Sequence, residues 1–217
     1  LFRVKKRQAP PGGTRKRLQD ERITELLDVA AEVFINEGFA AASTNEIARR
    51  ANASKTTFYS RFPSKEDLFL AVIDRKMSSI FEQVAIFPEQ QTLKDSLERF
   101  SANLLAIALS PKQLALIRMI SMESSRYPAL ATRFYENGPK RGEKALATYL
   151  SQQAAKGFLR QEDPLIMARQ LINLIIGSPV RWFVLGFDPA PMGKRALQKH
   201  IDESIRLFLR AYGIPQE

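Results

Sequence analysis

From about Asp20 apolar residues return every three or four positions: Ile23, Leu26, Leu27, Ala30, Val33 and Phe34, with Glu25, Asp28 and Glu32 on the other side. That period predicts an amphipathic helix. Gly38, following Asn36-Glu37, is placed to end it, because glycine takes the left-handed cap conformation at no steric cost. Ser43-Thr44-Asn45-Glu46 reads as a capping box, with Ser43 as N-cap and Glu46 reaching back. It opens a short helix with Ile47 and Ala48 on the buried side. The helix ends at Ala51-Asn52, and Asn tolerates the left-handed conformation of a tight turn. Ser54 then caps a second short helix, Lys55-Thr56-Thr57-Phe58-Tyr59, which Pro63 stops. Ser64 caps a longer one, with Asp67 at its third position and Leu68, Phe69, Val72, Ile73 and Met77 as an apolar stripe.

Beyond Phe87-Pro88 the pattern predicts five further helices, roughly 92–109, 112–125, 129–156, 164–185 and 192–212. Pro111, Pro128, Pro164 and Pro189 mark the joints, and Gly157 and Gly213 act as terminators. No stretch alternates long enough to predict a sheet. The expected class is therefore all-α, about nine helices in total: a small N-terminal helical domain and a C-terminal helical bundle. The organisation is read as a basic flexible arm at 1–17, a first domain at 18–65 and a second at 66–217. The arm carries Arg3, Lys5, Lys6, Arg7, Arg15, Lys16 and Arg17 around Pro10-Pro11-Gly12-Gly13, with no acid among them.

Charge and composition narrow the function. The chain has a net charge of +10, and residues 1–65, with 13 Lys and Arg against 7 Asp and Glu, hold +6 of it. That bias points to a polyanionic partner, nucleic acid or an anionic membrane surface. Apolar residues make up 45% of the chain, enough for a proper core. There is no cysteine and a single histidine, His200. Thiolate chemistry is excluded, and no glycine-rich phosphate loop or metal-spaced acid cluster occurs. The chain is read as non-enzymatic, with no cofactor and no metal. The most apolar stretch, Leu171–Phe187, is interrupted by Asn173, Ser178, Pro179 and Arg181, so a buried helix is expected there and no membrane insertion. The basic N-terminus lacks the apolar run of a secretory signal, and a cytoplasmic location is expected.

Two short capped helices joined by a tight turn form a helix-turn-helix, whose second helix lies in the DNA major groove. Here that helix offers Ser54, Lys55, Thr56, Thr57, Tyr59, Ser60 and Arg61, all hydrogen-bond donors and none a carboxylate that phosphates would repel. Helix starts at Ser54 and Ser64 can aim backbone amides at phosphate oxygens. Phe58 and Phe62 are expected to pack inward.

The stretch resembles the TetR family through Ala30, Phe34, Gly38, Phe39, Ser43, Ile47-Ala48, Ala51, Ser54, Tyr59, Phe62, Lys65-Glu66 and Leu68, about fifty residues in order without a gap. Asn52 and Thr56 depart from it, each standing where glycine is common. Thr56 adds a side chain facing DNA. The resemblance implies that Ser43 and Thr44 bind phosphate, that Ser54 to Arg61 enter the groove, and that Lys65 binds phosphate. The C-terminal part resembles the AefR-like subgroup through Ser110-Pro111, Leu116-Ile117-Arg118, Glu123 to Tyr127-Pro128, Gly157-Phe158-Leu159, Leu185-Gly186-Phe187 and Tyr212-Gly213. This implies a homodimer, a small-molecule effector, an inverted-repeat operator in double-stranded DNA, and repression as the usual outcome.

For the dimer face the candidates are Ile172, Ile175, Ile176, Phe183, Ile201, Ile205 and Phe208, from two late apolar helices, with a plain central core helix the competing reading for the first of them. For an effector pocket they are Phe81, Phe100, Leu104, Met119, Met122, Glu123, Phe134 and Trp182, with plain core packing the competing reading for each. Glu123 could meet a cationic ligand or pair with Arg118 or Arg126. The alternative function is a basic helical protein that docks on anionic membrane or binds nucleic acid non-specifically.

Overall fold

The computed structural model describes residues 12–84, 87, 91–187 and 193–215, without the side chains of 12–19, 55, 57 and 78–84. The arm residues 1–11 and Pro189 lie outside the described residues. The helices are α1 (Gly12–Ala41), α2 (Thr44–Arg50), α3 (Lys55–Arg61), α4 (Lys65–Val84), α5 (Leu93–Ala108), α6 (Pro111–Glu123), α7 (Pro128–Asn137), α8 (Pro139–Ala155), α9 (Pro164–Val184) and α10 (Lys194–Tyr212). The all-helical class is as expected. Among the described residues the only β-pairing is an isolated antiparallel bridge between Leu159 and Gly213.

Two boundaries differ from expectation. α1 starts at Gly12, so part of the stretch read as a flexible arm is helical. Past Gly13 the run Arg15-Lys16-Arg17-Leu18-Gln19 contains only good helix formers, and basic charge alone does not break a helix. The helix expected over 129–156 is two, α7 and α8, separated at Gly138. Pro139 lacks the N–H that continuation requires and takes the first position of the new helix.

The chain divides into two compact units, Leu1–Val72 and Ile73–Glu217. The boundary falls inside α4 rather than before it. The reason is visible in the first core: Phe34, Phe39 and Phe69 form a buried aromatic trio, with ring centroids 4.8 to 5.8 Å apart. Phe69 and Leu68, on the first turns of α4, therefore belong to the core built by Leu26, Ala30, Val33 and Phe34 of α1. Each buried Phe contributes roughly 1.5–3 kcal/mol by leaving water. Gly38 interrupts α1 at φ 80° and ψ 161°, an extended positive-φ conformation open to glycine alone and not the left-handed cap expected there.

The second unit packs α5, α8, α9 and α10 around Leu97, Phe100, Leu146, Leu150, Leu171, Ile175, Ile205 and Phe208. Four helices in this unit begin with proline at the first turn, where its missing N–H costs nothing. Pro179 is different, lying inside α9, and it deprives the Ile175 carbonyl of its helical donor. His200 of α10 fills that gap, its Nε2 lying 2.9 Å from Ile175 O. The lone histidine is thus a half-buried donor to an otherwise orphaned carbonyl, which requires the proton on Nε2. Arg169 ties α8 to α9 through Glu143 at 2.9 Å. That hydrogen bond, with a second that Arg169 donates to the Tyr135 hydroxyl, raises the guanidinium above its ordinary value. No single helix among the described residues is long and apolar enough to cross a membrane.

Candidate nucleic-acid interface

The site is built from α2, the turn after it, and α3. Ser43 caps α2 as expected, its Oγ accepting from the Glu46 N–H. The other half of the capping box is not formed. Glu46 instead accepts two hydrogen bonds from Arg49, at 2.6 and 2.8 Å. A guanidinium fork three residues on the same face outcompetes a single backbone amide. The Arg49 hydrogen bond holds the Glu46 carboxyl below its usual range and raises Arg49. The acid on α2 is thereby neutralised locally. Arg50 lies 3.5 Å from Glu32 of α1, bracing the outer side.

The turn closes on Asn52, the one described non-glycine residue with positive φ, at 50°. The Ala53 N–H donates to Ala48 O at 2.9 Å, a Schellman closure. Asn at this position meets the backbone requirement that glycine meets in the family pattern. α3 then buries Phe58 and Phe62 in the first core and leaves Ser54, Thr56, Tyr59, Ser60 and Arg61 exposed. Tyr59 is 44% exposed, and its hydroxyl shares a 3.1 Å hydrogen bond with Thr44 Oγ1. This bond joins the start of α2 to the middle of α3, bringing two predicted DNA contacts together at one rim. The side chains of Lys55 and Thr57 lie outside the described residues.

Ser64 and Asp67 cap α4 reciprocally: Ser64 Oγ donates to the carboxylate at 2.7 Å and accepts from the Asp67 N–H at 3.0 Å. Lys65 is placed in a way the sequence did not suggest. Its Nζ donates to Ala40 O at 2.9 Å and Ala42 O at 3.3 Å and lies 4.9 Å from the Phe39 ring centroid. It ties α4 to the end of α1, and of the three N–H groups of an ammonium one is left over.

In the second unit the candidate residues scatter. Ile175, Ile201, Ile205 and Phe208 are buried in the subunit's own core, so they have no area left to offer a second copy. They were chosen because apolar periodicity marks buried faces without saying what buries them. Ile172 and Ile176 pack against that core at its edge, and Phe183 is half-buried. The apolar side chains still exposed on α9 and α10 are Ile166, Leu174, Trp182 and Leu207, with Leu185 and Phe187 just beyond α9.

A cavity of about 850 Å³ opens among the start of α5, the end of α8 and the end of α10. None of the eight expected pocket residues lines it. Phe100 and Met119 are buried between helices, and Phe100 only backs the cavity through Phe87, 5.6 Å away. Leu104 packs at the edge of the core, and Glu123 and Phe134 are half-buried elsewhere. Met122 is 75% and Trp182 47% exposed. Phe81 has its side chain outside the described residues. Arg118 does not pair with Glu123: it donates to Phe183 O at 2.8 Å and lies over the Phe183 ring. Arg126 lies over Tyr127.

Comparison with known proteins identifies the family. Residues 26–72 match the model for bacterial regulatory proteins of the tetR family, and residues 95–214 match the AefR-like transcriptional repressor C-terminal domain. The HTH-type transcriptional activator FasR of Mycolicibacterium smegmatis is 45% identical over 78 residues, 35% of this chain; the match spans only 36% of that protein's length. A TetR-family regulator from Mesorhizobium loti superposes with a TM-score of 0.84 at 27% identity, covering 90% of this chain and 98% of that one. The flavonoid-responsive regulator FrrA gives 0.78 at 30% identity, covering 91% of this chain and 100% of that one. The chain belongs to the TetR family: it is a helix-turn-helix, DNA-binding transcriptional regulator with an AefR-like C-terminal domain, and not an enzyme.

Proposed function

We propose that the protein is a homodimeric, sequence-specific repressor, released from an inverted-repeat operator by a small organic effector. The observation that carries the DNA reading is the rim formed by the exposed Ser43, Ser54, Thr56, Tyr59, Ser60 and Arg61 with the half-buried Thr44. Every one of these side chains carries a donor and none is a carboxylate, and the nearby acid, Glu46, is already held by Arg49. Ser43 and Thr44 contact phosphate. The α3 side chains, Lys55 and Thr57 among them, enter the major groove. Thr56 reads a base edge where family members with glycine read none. Lys65 gives its remaining N–H to a phosphate while holding α4 in register.

The exposed apolar residues Leu174, Trp182 and Leu207 favour dimerisation through the outer faces of α9 and α10. Two copies place two recognition helices about 34–36 Å apart, one helical turn of DNA. An effector that alters this spacing by a few ångströms releases the operator. Repression is supported by the AefR-like repressor domain, and an effector by the flavonoid-responsive relative. The setting is cytoplasmic, where DNA is reached.

The test is direct competition between duplex DNA from the protein's own source and anionic phospholipid vesicles at about 150 mM salt, which screens non-specific charge attraction. Capture by DNA, lost in Tyr59→Ala, supports the reading. Capture by vesicles, unchanged in Tyr59→Ala, overturns it in favour of membrane docking. Fusing the bound promoter to a reporter settles the sign: the reading requires expression to rise when the regulator is deleted.

A further inference from the structure

The cavity at the end of the second unit has a chemistry of its own. Along α8, Tyr149 and Gln153 stand one turn apart on the same face, with Lys156 a further turn along. Tyr149 is 7% exposed and Gln153 8%, yet among the described residues neither the phenol hydroxyl nor the carboxamide has a hydrogen-bond partner. Ser96 and Ser101 are the described buried residues whose unpartnered polar atoms are sealed from solvent; those of Tyr149 and Gln153 are reached from the cavity. Polar groups that face a cavity and spend no hydrogen bond on the described protein are free to recognise a ligand that enters it.

The floor is aromatic. Phe87 stacks on Tyr149 with centroids 4.2 Å apart and planes 10° from parallel. The rim is cationic: Lys94, Lys156, Arg160 and Arg210 line it, and no carboxylate does among the described residues. Lys94 has a partner, Glu98 at 3.6 Å. The other three have no carboxylate within ion-pair distance among the described residues. The rim is also fixed in place. Gly157, at φ 81°, turns the chain out of α8, and the Arg160 N–H donates to Tyr212 O at 2.8 Å while the Ile214 N–H donates to Phe158 O at 3.1 Å. These bonds clamp the segment carrying Arg160 against the end of α10, which carries Arg210.

We infer that this cavity binds an organic anion with an apolar body. The anionic head lies at Lys156, Arg160 and Arg210, the body on Phe87 and Tyr149, and Gln153 hydrogen-bonds a polar atom of the ligand inside. The volume, about 850 Å³, suits a drug-sized molecule. Arginine pairs recognise carboxylate, sulfonate or phosphate heads through forked hydrogen bonds, so the head sets the charge and the cavity sets the body.

The experiment is calorimetric titration of the full chain, without DNA, at neutral pH and about 150 mM salt to suppress loose charge pairing. Two matched probe pairs are used: dodecanoate with dodecan-1-ol, and naphthalene-2-sulfonate with naphthalene-2-methanol. In at least one pair the anion binds about tenfold tighter than its neutral partner, and the pair that does so identifies the body as flexible or flat. The double variant Arg160→Gln, Arg210→Gln reduces that advantage to less than about threefold with an unchanged melting temperature, since both side chains are exposed. Equal binding of both members in both pairs, no binding of any probe, or an advantage that survives the double variant each overturns the inference. Because no DNA is present, failure here leaves the operator reading intact, and failure of the operator reading leaves this site intact.

Discussion

In the first unit every candidate DNA contact falls between Ser43 and Lys65, on two short helices, the caps that start them and the first residue of α4. In the second, the cavity draws on Phe87 and on residues within 91–94, 149–160 and 209–215, which only the folded bundle brings together. The first unit buries its described phenylalanines and leaves Tyr59 exposed on a polar, donor-rich rim. The second exposes Trp182, Leu185 and Phe187 as well as burying a core. The contrast teaches that one surface is complete within the chain, whereas the other is incomplete until something covers its apolar residues.

The largest expected effect tests whether the units are separable. Phe34→Ala removes one fully buried ring of the Phe34-Phe39-Phe69 trio and costs about 3–5 kcal/mol. Operator binding is lost while calorimetric binding at the cavity persists. Loss of both measurements would mean the division at Val72 has no energetic meaning. Next, Tyr59→Ala costs roughly 1–3 kcal/mol of operator affinity, read by fluorescence anisotropy, with the melting temperature almost unchanged. Tyr59→Phe, which deletes only the hydroxyl shared with Thr44, recovers part of that loss if the ring touches DNA.

His200→Ala leaves the Ile175 carbonyl without a donor and lowers stability by about 1–3 kcal/mol in urea melts, without altering operator affinity measured on folded protein. Adding Pro179→Ala supplies a backbone N–H and restores most of the loss. No restoration would disprove the pairing of histidine with proline. The smallest effect concerns Glu46. Its folded-state value lies below the ordinary 4.5, so the Glu46–Arg49 contribution is complete above 4.5 and is lost as pH falls through the lowered value. A carboxyl carbon titration shows a midpoint below 4.5. A midpoint at or above 4.5 would remove the Arg49 hydrogen bond from the account.

Legibility followed the same contrast. The helix-turn-helix could be read because its signals are local: a serine cap, an apolar period, Asn52 in the turn and a proline stop each act within a few residues. The phosphate contact of Lys65 is implied by the family resemblance; its tie to Ala40 and Ala42 was not legible, because nothing nearby in sequence shows that they lie beside it. Ile175, Ile201, Ile205 and Phe208 were correctly read as buried but given to a dimer face, since periodicity reports burial and not its partner. The cavity was illegible for a stronger reason. Tyr149 and Gln153 look like ordinary helix residues, and Arg160 and Arg210 like solvated charges, until α8 and α10 converge. The α7–α8 break was available in Pro139, and long apolar periodicity on both sides masked it.

The most direct test of the central claim is to incubate the purified protein with sheared DNA from its own source at about 150 mM salt and sequence what remains bound. The account predicts enrichment of a short inverted repeat whose half-sites lie about one helical turn apart, on one face of the duplex. Uniform recovery of fragments, with no enriched sequence, would contradict it.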